Sequence, residues 1–364
     1  MQPYSNRESI LEAAAEHQPR EECDQPLAAD GKPLTQTLDN SEESASPKST
    51  QPSNPSRIKI YETIASDNLM RIVSLVPSAT DILVELGAVD ELAAVTYACG
   101  VVSKPVVVKP CISTENLSPE EVDRIVSSAS ANGEQLYLVD YGLIESLKPD
   151  LILAQGLCEV CGVTGDIVTE KLRSLAPIFT LNPHTVKEIL DDILLVGKLV
   201  KREREAVELV AAISAKLEYV REYAAGLPLV RTAVLEWLHP PFCSGHWVPE
   251  LVELAGGRDI GVAGKPSRRI RAEELLAHGP EKLVAAPCGY SLEKAALEVE
   301  RFCGQNWVQQ LPAYRCGEVY AVEADRYFSR HGPQIGDAAL ILGEILHPEV
   351  FREKAPQKTF RKMM

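Results

Sequence analysis

TVKEILDDILLVGKLVKREREAVELVAAISAKLEYVREYA, residues 185–224, carries apolar residues at Val186, Leu190, Ile193, Gly197, Val200, Val207, Val210, Leu217, Val220 and Ala224. Spacings of three, four and seven put them on one helical face, so the stretch reads as helix throughout. A straight helix of roughly 40 residues would run about 60 Å, longer than a small domain is wide. The segment therefore reads as a strut between two lobes, with a cleft separating them. A coiled-coil dimerisation helix fits less well, because the heptad register is not kept and Gly197 lies on the apolar face. Two helices broken near Lys201 to Glu205 are the other reading.

Composition describes an ordinary globular chain. It has 364 residues, 45% of them hydrophobic and 24% charged, enough for two packed cores. The net charge of -15, from 37 Lys and Arg against 52 Asp and Glu, disfavours nucleic acid, which needs basic stripes. No run approaches the length of a membrane span, and the N-terminus lacks the basic start and apolar run of a secretory signal. The chain is thus expected to stay in the cytosol, with organelle import left open. An odd count of nine cysteines cannot pair completely, so most are read as free thiols.

The first 66 residues differ from the rest. Ser, Pro, Gln, Asn, Glu and Asp dominate, as in SEESASPKSTQPSNPS at Ser41 to Ser56, and eleven acidic residues face six Lys or Arg. Too little apolar surface is present to pay for ordering, so 1–66 is expected to be a disordered extension.

Beyond it, strands and helices alternate. Arg71 to Val76 reads as a strand, Ser78 as a cap for a helix closed by Gly87, Ala93 to Ala98 as a strand, and Ser118 to Ala131 as a helix. Strands at Asp150 to Ala154 and Ile178 to Leu181 complete an α/β lobe over 67–183. After the strut, 184–226, the pattern restarts with a strand at Arg231 to Leu238 and helices at Val248 to Ala255 and Ala272 to Ala277. A strand at Lys282 to Ala286, a last strand at Val319 to Val322 and a closing helix at Gly336 to Leu346 make a second α/β lobe over 227–348, with 349–364 as a tail.

Arg71-Ile-Val-Ser-Leu-Val-Pro-Ser-Ala-Thr-Asp81, then Leu86-Gly87 and Glu145-Ser-Leu-Lys-Pro-Asp-Leu-Ile152, resemble the first lobe of class III periplasmic binding proteins. These are the iron-siderophore and vitamin B12 receptors of ABC importers. Pro240-Pro-Phe-Cys-Ser-Gly245, Val252-Glu-Leu-Ala-Gly-Gly257 and Tyr327-Phe-Ser-Arg330 with Pro333 resemble second-lobe segments of the vitamin B12 receptors, in the same order. The likeness spans about 70–348.

The resemblance implies two lobes joined by a long backbone helix, and a large flat chelate held between them without covalent chemistry. Residue by residue, Pro77, Ser78 and Thr80 fall in the first-lobe contact loop, Phe242 in its second-lobe counterpart, and Tyr327, Phe328 and Arg330 in a later loop. Tyr97, at the end of the second strand, and Trp237, His246 and Trp247, in or beside the matched second-lobe loop, suit a corrin or porphyrin, since aromatic faces stack on a macrocycle while Arg, His and Ser meet its polar edge. Each has a plainer role open to it. Ser78 is as well placed to cap a helix, and Trp237 and Phe242 to fill a core. Of the two surface acids that dock such receptors on a permease, Glu273 matches the second-lobe one. The first-lobe position holds Gly142, with Asp140 nearby.

Cys158-Glu-Val-Cys161 is the feature that opposes this picture. Two thiols at that spacing chelate zinc or form a redox disulfide, but a structural zinc site needs two further ligands. Neither a second CxxC nor an HxxxH is present, nor is there a GxSxG, P-loop or HExxH motif. The chain therefore reads as a non-catalytic protein needing no cofactor, whose ligand is cobalamin or a related metal chelate and whose partner is an ABC permease or another cobalamin-handling protein. A redox or zinc protein built on Cys158 and Cys161 is the alternative.

Overall fold

The computed structural model describes residues 69–101, 103–113, 117–132, 134–156 and 170–364. The extension 1–66 and the Cys158–Cys161 pair lie outside them. The first lobe carries strands β1 (Ile72–Ser74), β2 (Leu92–Thr96), β3 (Val106–Pro110), β4 (Tyr137–Val139), β5 (Leu151–Gln155) and β6 (Ile178–Leu181), in the order β4-β3-β2-β1-β5-β6. All neighbours are parallel except β3 and β4. Its helices are α1 (Pro77–Glu85), α2 (Pro119–Asn132), α3 (Tyr141–Leu147) and α4 (Glu170–Leu175). β1 and most of β5 are buried, as expected of central parallel strands written as unbroken apolar runs.

The connector is not one rod. α5 (Val186–Leu199) opens with a capping box, Thr185 paired with Glu188, and α6 (Glu203–Ala224) follows after a turn in which Lys201 adopts φ 54°. Gly197 explains the break. A Cβ there would lie 2.3 Å from the Cβ of Ala206, so α6 folds back across α5 where both residues are small. Arg202 Nη2 meets Glu91 Oε1 at 3.1 Å, tying the turn to the first lobe, while Lys216 Nζ on α6 meets Asp337 Oδ1 of the second at 2.6 Å. The continuous strut read from periodicity is thus two helices, still joining two α/β lobes. Substituting Gly197 by Ala is expected to destabilise the chain by about 1–3 kcal/mol through overpacking, and by Val more, as read by chemical denaturation.

The second lobe contains β7 (Val230–Leu238), β8 (Pro241–Cys243), β9 (Gly257–Asp259), β10 (Arg268–Arg269), β11 (Lys282–Ala285), β12 (Val319–Val322) and β13 (Phe360–Lys362). β7, β11 and β12 run parallel, and the order is β10-β8-β7-β11-β12-β13, with β9 beside the start of β7. Its helices are α7 (Val248–Leu254), α8 (Ala272–His278), α9 (Leu292–Cys303), α10 (Pro312–Arg315), α11 (Ala324–Tyr327), α12 (Ile335–Leu346) and α13 (Pro348–Phe351). Residues 349–364 are therefore not a tail. β13 pairs antiparallel with β12, and Lys362 and Lys282 both meet the Glu318 carboxylate, at 2.5 and 2.8 Å. Cys99, Cys111, Cys243 and Cys303 are free thiols, as composition implied, but Cys316 is disulfide-bonded.

Candidate ligand cleft

In open α/β sheets the loops beyond the carboxyl ends of the strands form the site, and here those of the two lobes meet. Beyond β1, Ser78 and Asp81 stand on the first turns of α1. α1 has Pro77 in its first turn and Val76 at its N-cap, with no side-chain cap. Ser78 is thereby released from the capping role the sequence offered it, and its Oγ accepts from the backbone N–H of His331 across the lobes at 3.1 Å.

Arg330 crosses in the same place. Its Nη1 lies 3.2 and 3.0 Å from the two oxygens of Asp81, and its Nη2 donates to the Ala98 carbonyl at 3.3 Å and to Asp325 Oδ2 at 2.5 Å. Both members of the Arg330–Asp81 pair are largely buried. Burial raises the Asp81 carboxyl above its ordinary range, with Arg330 opposing the rise.

His331 is 3% exposed. Its Nε2 lies 3.4 Å from Gln155 Oε1 at the end of β5, its Nδ1 has no partner among the described residues, and burial pushes it down to about 3. Trp247 packs edge-on against it, ring centroids 5.9 Å apart. Next to Trp247, His246 in the second lobe meets His184, which follows β6, with their Nδ1 atoms 3.0 Å apart.

α2 also reaches the second lobe. Asp123 meets Arg269 Nη2 at 3.1 and 2.8 Å, and Glu120 meets Arg301 Nη2 at 3.4 and 3.3 Å and His239 Nδ1 at 3.5 Å. Between them is a cavity of about 360 Å³ lined by Glu120, Leu238, His239, Pro240, Pro241, Ala272, Gln305 and Trp307.

The residues singled out from sequence divide between the cleft and the cores. Ser78, Tyr97, His246 and Arg330 lie where the lobes meet, with Pro77 beside Ser78 at the start of α1. Tyr97 is 49% exposed, its ring stacked on Tyr137 with centroids 6.3 Å apart. Burial raises its hydroxyl pKa, a hydrogen bond to Tyr137 opposes, and Cys288 and Asp325 of the second lobe lie close enough to add to the rise. Phe242 is half-buried, with the Arg269 guanidinium 5.4 Å above its ring.

Others belong to packing. Thr80 is buried and its hydroxyl turns inward to Ser74 at 2.8 Å and the Cys99 Sγ at 3.0 Å. Trp237 packs on the second-lobe core, edge-on to Tyr290, and spends its indole N–H on the His239 carbonyl. Trp247, Tyr327 and Phe328 are buried too, at 5%, 7% and 4% exposure, so their expected role as open stacking faces is corrected. Trp247 adjoins His246, which reaches His184 across the lobes, while its own ring turns inward. Glu273 is exposed on the first turn of α8, whereas Asp140 in the first lobe caps α3 by accepting from Leu143 N at 2.9 Å.

Sequence reasoning missed His331, His184, Asp81, Gln155, Asp123 and Arg269. Asp81 and His331 stood inside or beside the matched segments, but their value lies in pairing across the lobes.

A family model described as periplasmic binding protein matches residues 72–325. An uncharacterized ABC transporter substrate-binding lipoprotein of Bacillus subtilis is 22% identical, covering 78% of this chain and 82% of its own. The vitamin B12-binding protein of Vibrio cholerae is 25% identical, covering 74% and 86%. Among solved structures, the periplasmic heme-binding protein from Roseiflexus sp. RS-1 in apo form has a TM-score of 0.57 at 18% identity, covering 78% of this chain and all of that one. The cytosolic placement expected from the sequence is overturned by the family, described as periplasmic binding protein, and by the relative named as a substrate-binding lipoprotein. The chain is a binding protein and not an enzyme.

Proposed function

Because this chain belongs to the periplasmic binding protein family, we propose that it binds a large metal chelate, a cobalamin-like corrinoid, between its lobes and presents it to an ABC permease. The observation that carries this reading is the meeting of strand-end loops from both lobes around Ser78, Tyr97, Phe242 and Arg330, with two aromatic faces still partly open. The vitamin B12-binding relative favours a corrinoid over other chelates. Glu273, exposed on the second lobe, is the proposed docking carboxylate.

The cavity of about 360 Å³ lies near the lower end of ligand sites, roughly 300–1,000 Å³. A macrocycle therefore enters by parting α2 from the second lobe. The pairs it has to break, Arg269 with Asp123 and Arg301 with Glu120, are partly exposed and contribute roughly 0–1 kcal/mol each, so opening costs little. Displacing Arg269 from the Phe242 ring frees that face for the ligand.

Calorimetric and spectral titration with cyanocobalamin, hemin and a ferric siderophore tests the assignment. Cobalamin binding at or below roughly micromolar Kd is expected. Tight binding of hemin or the siderophore with none of cobalamin would overturn the corrinoid reading. Phe242→Ala is expected to weaken cobalamin binding by about 1–3 kcal/mol, roughly five- to a hundredfold, with stability nearly unchanged.

A further inference from the structure

Two carboxylates hold the second-lobe loop that carries Phe242 and His246. In β7, Leu235 faces Cys243 and Trp237 faces Phe242, so Glu236 is the extra residue of a β-bulge, a device that re-aims a side chain. Its Oε1 accepts from the Gly245 N–H at 3.0 Å. Asp259, at the end of β9, takes the neighbouring residue. Ser244, 1% exposed, donates its hydroxyl to Asp259 Oδ2, and the Val234 N–H of β7 donates to Oδ1 at 2.9 Å. Burial raises the Asp259 carboxyl, and hydrogen bonds from Ser244 and from the N–H groups of Val234, Ile260 and Gly261 oppose the rise. A buried polar group with its partners in place fixes one arrangement of the chain around it.

The glycines show how closely the loop is gripped. A Cβ on Gly261 would lie 2.5 Å from Ser244 Oγ and 2.8 Å from Asp259 Oδ2, and one on Gly245 would strike the Ser267 backbone. Next to Gly245, His246 adopts φ 53°, a left-handed conformation that a residue with a side chain keeps only where its surroundings impose it. The segment after Gly261 imposes it here. The His246 N–H donates to the Lys265 carbonyl at 2.6 Å, and the His246 carbonyl accepts from the Gly264 N–H at 2.8 Å. The His246 ring is thereby turned to His184 across the lobes, with 3.0 Å between the Nδ1 atoms.

The geometry points to Asp259 as a positioning residue for the cleft: through Ser244 it holds the run from Phe242 to His246 in its ligand-ready conformation before any ligand arrives, a role that rests on the cleft reading in which Phe242 meets the chelate. Asp259 acts at one remove from the ligand. A loop that samples other conformations binds only through the fraction in the competent one, so apparent affinity falls by that fraction and the loss appears in association. A purely structural carboxylate would behave differently, lowering stability while the molecules that stay folded bind as before.

The test uses the full chain with Ser244→Ala and, separately, Asp259→Asn. Ser244→Ala removes one hydroxyl and leaves Asp259 its backbone donors, so it keeps the test open if Asp259→Asn fails to fold. Without ligand, amide hydrogen exchange at residues 244–246 is expected to quicken at least roughly tenfold relative to β11 and β12. Association of cyanocobalamin with the folded variants, followed by stopped flow, is expected to slow roughly five- to twentyfold, with dissociation changed less. Unchanged exchange at 244–246, or exchange that quickens equally across the second lobe, would overturn the positioning role, as would native association by a variant whose loop exchanges fast. A native chain that binds no cyanocobalamin would sink the corrinoid reading instead, and the exchange measurement, made without ligand, would still decide whether Asp259 holds the loop.

Discussion

Replacing Trp247 by alanine should lower the unfolding free energy by about 3–5 kcal/mol, the usual cost of deleting a large buried aromatic. The indole is 5% exposed and wedged between His246 and His331, with ring centroids at 6.1 and 5.9 Å. Its Nε1 has no partner among the described residues, so truncation forfeits packing and no hydrogen bond. Ligand affinity should fall only as far as the unfolded fraction grows. Trp247→Phe, which keeps most of the volume, should restore much of the loss. Denaturation and ligand titration of both variants check this against Phe242→Ala, for which the opposite pattern is expected. A Trp247→Ala protein of unchanged stability but weakened binding would return the indole to the cleft wall.

That contrast marks where the sequence stops being readable. Phe242 and Trp247 stand in one loop, and both looked equally suited to a macrocycle. What separates them is direction: Phe242 lies on β8 under Arg269, while Trp247 forms the N-cap of α7 and turns into the lobe. The strands β1, β5, β11 and β12 were legible because buried parallel strands are written as apolar runs bounded by turn residues. β13 was not, because its place depends on Lys362 reaching Glu318. The break in the connector, at the Lys201 to Glu205 position that the sequence offered as its second reading, could not be chosen by periodicity for a different reason. Both helices are amphipathic, and a short turn at Lys201 shifts the phase too little to interrupt the pattern. Gly197 was noticed as a flaw in a coiled coil, when its use is the close approach of α6. The interlobe contacts of His331 and Asp81 join segments at opposite ends of the fold, and nothing local announces them.

Acidification should unfasten the lobes, and His331 sets the range. In the unfolded chain a histidine titrates near 6.5, whereas burial holds His331 in the folded protein down to about 3. Between those values the unfolded state binds the extra proton, so stability is complete above pH 6.5 and is lost as pH falls toward 3. The slope is about 1.4 kcal/mol per pH unit, or about 2 kcal/mol by pH 5. His246, pushed down to about 4 by burial and by His184, acts in the same direction, but its partial exposure to solvent screens the effect and makes its share smaller. His331→Gln removes the titrating group while keeping a side chain able to reach Gln155 and Trp247. Urea denaturation of both proteins at pH 7 and pH 5 reads the difference directly. The native chain should lose about 2 kcal/mol more than the variant over that interval, and parallel losses would show that His331 takes up its proton in the folded chain as readily as in the unfolded one.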